Sequence, residues 1–140
     1  MGGLKSPYMP NTTVQNHFSY NNQAQGLWFD TDNKNITINN ATPSGNVMAG
    51  LQPEAEEGPI TAGNSHIRSS GAGINILNDS GTIKSNTLYN NSGTGIYDGA
   101  EIFVAGFAGG HKITDWLTGE TYNILTTKTV MTGNTFPECV

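Results

Sequence analysis

The sequence predicts an all-β solenoid, and three observations predict it. Gly26, Gly50, Gly73 and Gly95 open four similar segments, GLWFDTD, GLQPEAE, GINILND and GIYDGAE, at a period of roughly 22 to 24 residues. Asn16, Asn40, Asn64 and Asn86 precede those glycines by 10, 10, 9 and 9 residues. The composition agrees: 18 Gly, 17 Asn and 17 Thr among 140 residues favour turns and strands over helices. The chain is 35% hydrophobic and only 12% charged, a balance unlike that of ordinary disordered segments.

Taken in order, each element of the repeat has a physical reason. The asparagine opens a turn, because Asn tolerates left-handed backbone and a stacked amide can bond its neighbours. Two residues on, Phe18, Thr42, His66 and Leu88 form one column, with Phe136 in a weaker fifth copy, GNTF. That column makes His66 an inward, structural histidine. The glycine follows, and directly after it stand Leu27, Leu51, Ile74 and Ile96. Ten residues after the glycine stand Ile36, Ile60 and Ile83. Alternation with period two, as in GLWFD and NITIN, marks short strands. Such strands cannot bury an apolar side as isolated hairpins; stacked as coils about 4.8 Å apart they can. Thr37 and Thr61 share a column that Lys84 then interrupts, so no regular threonine array is expected. The stretch 103–122 breaks the repeat and reads as an irregular loop, which makes His111, Lys112, Asp115 and Trp116 solvated.

Charge and length narrow the function. Six Lys+Arg against eleven Asp+Glu give a net charge of −5, too acidic for a nucleic-acid surface. No apolar run is long enough for a membrane span or a signal peptide in this chain. A lone Cys139 excludes an internal disulfide framework and a cysteine metal site.

GLWFDTDNKNITINN and IKSNTLYNNSGTGIYDG resemble the right-handed parallel β-helix repeat of the pectate-lyase-like superfamily. The resemblance covers about residues 11–102, with a weaker return at 123–136. It implies a right-handed parallel β-helix of about four to six rungs. The chain reads as a single β-helix domain over 1–140, a fragment or a truncated relative of a longer solenoid, since it starts nearly in mid-repeat and ends at PECV. Open solenoid ends are sheet edges, so homo-oligomer formation through them is expected. An extracellular or cell-surface setting is implied as well.

Acids recur in the repeat. Six positions after each glycine stand Asp32, Glu56, Asp79 and Glu101, and four after stand Asp30 and Glu54. Stacking would gather Asp30, Asp32, Glu54 and Glu56 into a patch, with about 6.5 Å within a rung. Such a cluster suits calcium, with Asp32, Glu56, Asp79 and Glu101 as ligands. The same spacings bracket those of paired catalytic carboxylates in glycoside hydrolases. Solvated turn acids would give the same pattern. Trp28, Gln52, Asn75 and Tyr97 form an outward column, aromatic planes and amides of the kind that hold a sugar. The resemblance further implies lyase chemistry, in which Arg68 or Lys84 would remove a proton beside a uronate carboxylate. GGHK at 109–112 is not accompanied by the other elements of a polygalacturonase motif.

The expected function is therefore a carbohydrate-interacting β-helix of the polysaccharide lyase, epimerase or hydrolase kind. The alternative is a non-enzymatic structural or adhesive module, as in a surface protein or tailspike. Because the chain is acidic, an acidic glycan would need calcium as a bridge.

Overall fold

A computed structural model describes residues 2–54, 59–68, 70–77, 80–91, 99–106, 109–125 and 129–138. Every regular element among them is a β-strand, and the strands stack in parallel as a β-solenoid of about four turns. Each turn contributes one strand to each of three sheets. Sheet 1 runs β1 (Leu4–Ser6), β4 (Leu27–Asp30), β7 (Ala49–Glu54), β10 (Ala72–Leu77), β13 (Ile102–Ala105). Sheet 2 holds β2 (Thr13–Gln15), β5 (Ile36–Asn39), β8 (Ile60–Gly63), β11 (Gly81–Lys84) and β16 (Thr129–Thr132). Sheet 3 holds β3 (Phe18–Tyr20), β6 (Thr42–Ser44), β9 (His66–Arg68) and β12 (Thr87–Tyr89).

The core lies between the sheets. Leu27, Leu51 and Ile74 stand in register, as the repeat requires, and are at most 1% exposed. Phe29, Ile36, Ile38, Ile60, Ile67, Ile76, Ile83 and Leu88 pack with them in one apolar cluster. Gly26, Gly50 and Gly73 stand where sheet 1 meets sheet 3 with no room for a side chain, and Gly95 lies outside the described residues. A Cβ on Gly50 would lie 2.6 Å from Ile67 Cγ2 and 2.8 Å from the Gly73 carbonyl oxygen.

Three parts of the sequence register are corrected. The fourth residue of the first aliphatic column is Ile102, which pairs with Ile74; Ile96 lies outside the described residues. Residue 85 rather than 86 follows Asn64: Asn16, Asn40, Asn64 and Ser85 share the left-handed turn position, with φ of 51° to 55°. This single-residue slip reverses which side chains face in. His66 therefore pairs with Thr87 and is exposed, whereas Leu88 pairs with Ile67 and is buried. Finally, Ile83 pairs with Ala62, two residues past the expected Ile60, whose partner is Gly81. Thr82 thereby continues the column of Thr13, Thr37 and Thr61, and Lys84 does not interrupt it.

Asparagines hold the turns by a recurrent device. The Asn46 amide donates to the Ser19 carbonyl while its Oδ1 accepts from the Asn22 N–H. Asn86 does the same with Ala62 and Ser65, and Asn91 with Ile67 and Ser70. Each amide thus ties one coil to a carbonyl and an N–H of the coil before it.

Half of the described residues in the expected irregular loop are strand. Its first residues belong to β13, and β14 (His111–Thr114) with β15 (Thr121–Ile124) forms an antiparallel hairpin. Ile113 and Ile124 bury against each other beneath Tyr122. The solenoid resumes at β16, which pairs with β11.

Candidate functional site

Two surfaces gather chemistry-bearing side chains: the outer side of sheet 1 with its adjoining turn, and the outer side of sheet 3.

On sheet 1, Asp30 and Glu54 pair in register, as the acidic column requires. Both are engaged. Asp30 forms a 2.7 Å ion pair with Lys5, whose ammonium also sits 3.5 Å over the Trp28 ring. Glu54 Oε2 accepts from Trp28 Nε1 at 3.1 Å and from Gln52 Nε2 at 2.9 Å. Gln52 and Asn75 are 2% and 0% exposed, so they do not form the open amide column that was expected. Gln52 Oε1 instead accepts from the amides of Gln25 and Asn75. Glu101 holds the turn into β13 by accepting from the backbone N–H and the amide of Asn91.

Asp32 leaves this face altogether. Thr31 and Asp32 both adopt left-handed backbone, φ 51° and 61°, and the turn carries the Asp32 carboxylate to the side of the solenoid. There it meets the hairpin tip: Asp32 Oδ2 accepts from the Trp116 N–H at 3.0 Å. Asp32 and Asp30 therefore do not share a face at strand spacing. The hairpin tip is organised by Asp115, whose Oδ1 accepts from the N–H groups of Leu117 and Thr118 and whose Oδ2 contacts Lys34 Nζ. The Lys34 ammonium, followed by the Thr118 N–H, holds the Asp115 carboxyl down at about 2. Asp115 is buried rather than solvated, while His111, Lys112 and Trp116 are exposed. Pro10, Asp32, Lys34, Asp115, Trp116 and Leu117 line a small open cleft of about 20 Å³ here.

Glu56, Asp79 and Tyr97 lie outside the described residues. Among the described residues no three His, Cys, Asp or Glu side chains come together to hold a metal. Arg68 and Lys84 stand on sheets 3 and 2, so the structure does not gather them with Asp30 and Glu54.

Sheet 3 carries what the sequence reading missed. Its strands present Phe18, Thr42, His66 and Thr87 in one outer column and Tyr20, Ser44, Arg68 and Tyr89 in the next. Phe18 and Tyr20 are each 70% exposed. Arg68 Nη1 donates to Tyr89 Oη at 3.3 Å across one step. None of the four strands, FSY, TPS, HIR and TLY, bears a carboxylate. The available signal was the polar Ser19 between two aromatics, which turns Ser19 inward and both rings outward.

No family model matches the chain, and comparisons with curated proteins and with solved structures return no match.

Proposed function

We propose that this chain is a carbohydrate-interacting β-solenoid that holds a polysaccharide against the outer face of sheet 3. One observation carries the reading: Phe18 and Tyr20 project side by side from a flat strand with 70% of their surface open. Exposed rings of this kind are costly to leave in water and suit the apolar faces of sugar rings. Thr42, Ser44, Thr87 and the Arg68–Tyr89 pair supply hydroxyl and guanidinium groups beside them for sugar hydroxyls. Successive steps of about 4.8 Å give an extended ligand repeated contacts along the solenoid axis.

Binding without turnover is the form that the side chains favour. Asp30 and Glu54 are tied to Lys5, Trp28 and Gln52, and the cations proposed for lyase chemistry stand on other sheets. This supports the adhesive or structural module over the lyase, epimerase or hydrolase of the pectate-lyase-like superfamily. An extracellular or cell-surface setting fits either.

Native electrophoresis through gels containing neutral or acidic polysaccharides tests the proposal, run beside assays for unsaturated products and reducing ends. Retarded migration that Phe18→Ala with Tyr20→Ala abolishes, without product release, is expected. Unretarded migration across the panel overturns the glycan reading, and product release overturns the non-enzymatic one. Repeating the gels with a chelator tests the expected calcium bridge to acidic glycans.

A further inference from the structure

We propose, resting on the reading of sheet 3 as the glycan face, that Arg68 makes this face selective for anionic glycans and that the selection needs no calcium. The group recognised is a carboxylate or a sulfate on the sugar, taken directly by the guanidinium.

The net charge of −5 is not the charge of this face. Every acid of the chain falls outside residues 11–29, 33–53, 58–78 and 80–97, the stretches that hold all four strands of sheet 3. Asp30, Asp32 and Glu54 come where sheet 1 hands over to sheet 2, the corner opposite sheet 3. Asp30 is neutralised by Lys5, and exposed charges a sheet-to-sheet distance of about 10 Å away are largely screened at physiological salt. Glu138 follows the Thr87–Thr135 bridge, at the end of the sheet away from the aromatic rings. On the face itself stand Arg68 and, two residues before it, His66, both exposed.

The guanidinium is oriented but mostly unspent. It carries five N–H donors and gives one, from Nη1, to Tyr89 Oη at 3.3 Å. Among the described residues Arg68 forms no ion pair, whereas Lys5 and Lys34 are paired with Asp30 and Asp115. A planar fork held by Tyr89 suits an oxyanion, which can accept two parallel bonds from it. Tyr20, Ser44, Arg68 and Tyr89 stand in register, so Arg68 lies two steps, about 10 Å, from Tyr20. A glycan stacked on Tyr20 therefore brings the acidic group of a later ring to Arg68. Calcium finds no such place: FSY, TPS, HIR and TLY offer none of the carboxylates that a calcium bridge chiefly uses.

Fluorescence anisotropy with end-labelled hexasaccharides tests the selection on the full chain. A glucuronate hexamer is compared with the same hexamer after reduction of its carboxyls to alcohols, and a sulfated dextran hexamer with the unsulfated one, each with and without a chelator. The charged member of at least one pair should bind about three- to tenfold tighter, as one exposed charge-assisted contact allows. Preference in the uronate pair or in the sulfate pair identifies which group Arg68 takes. The preference should survive the chelator and vanish in Arg68→Gln. Lys112→Gln removes an equal charge from the exposed hairpin and should leave it intact. Equal binding within both pairs, loss of the preference on chelation, or the same preference in Arg68→Gln would overturn the proposal while the glycan reading stands, because the sugars still bind. Failure of all four sugars to bind would overturn both.

Discussion

Lys34 and Asp115 are 81 residues apart in the chain, yet the lysine ammonium directly contacts the aspartate carboxylate and fastens the hairpin to the second coil. The contact has a pH signature. The folded carboxyl titrates at about 2, mainly because Lys34 donates to it, against about 3.9 in an unfolded chain. A depressed acid contributes stability that is present above its unfolded value and is lost as pH falls through the folded one. Hairpin docking should therefore hold at neutral pH and weaken between about pH 4 and pH 2. Carboxyl-carbon NMR of Asp115 reads the titration directly. Lys34→Met should move its midpoint up toward the ordinary value, and an unmoved midpoint would mean that Lys34 is not the cause.

The aliphatic column carries most of the stability. Ile74 is fully buried between Leu51 and Ile102, and its truncation leaves a cavity that neighbouring coils cannot close. Ile74→Ala should lose about 2–5 kcal/mol in urea unfolding. Val104→Ala, on the same sheet but 37% exposed, should lose much less. Equal losses would mean that the stack is not the core.

The turn asparagines separate into two kinds with different sensitivities. Asn86 is buried and bonds Ser65, Ala62 and Asn134, so Asn86→Ala removes the partner of the Ser65 N–H and a donor to the Ala62 carbonyl and should cost about 1–3 kcal/mol. Asn40 is exposed and bonds Asn16, and its positive φ is its main demand. Asn40→Gly should be nearly neutral, and Asn40→Ala should cost roughly 1–2 kcal/mol because of the left-handed backbone. Thermal unfolding of the three variants checks this order.

Why the sequence disclosed the fold but not the working surface follows from these residues. A repeat that puts Leu27, Leu51 and Ile74 at equal intervals exposes its period, and period determines stacking. Register is more delicate. The loop from Asn64 to Ser85 is one residue shorter than the asparagine spacing implies, and Asn86 drew the alignment to itself because it is also an amide, serving a different turn. That slip turned His66 inward on paper and hid the outer row of sheet 3. Contacts across the hairpin were illegible for another reason: nothing local in GGHKITDWLTGETY signals that Asp115 will meet Lys34. Burial of Gln52 and Asn75 was hidden likewise, since amides read as solvent-facing until a neighbouring amide is placed against them.

The two candidate glycan faces make opposite demands on single substitutions, which allows a clean choice between them. Tyr20 touches solvent over most of its surface, so Tyr20→Ala should leave the melting temperature within about a degree or two while weakening polysaccharide binding about 3- to 10-fold. Arg68→Gln should act similarly, since it removes the guanidinium that is hydrogen-bonded to Tyr89. Trp28 is different: its indole N–H is spent on Glu54 and its ring face on Lys5. Trp28→Ala should therefore lower stability and leave binding by the folded fraction intact. Affinity electrophoresis and calorimetry on the three variants give the two readouts. Should Trp28→Ala abolish binding in a folded chain while Tyr20→Ala binds normally, the sugar lies on sheet 1 and the exposed rings of sheet 3 serve something else.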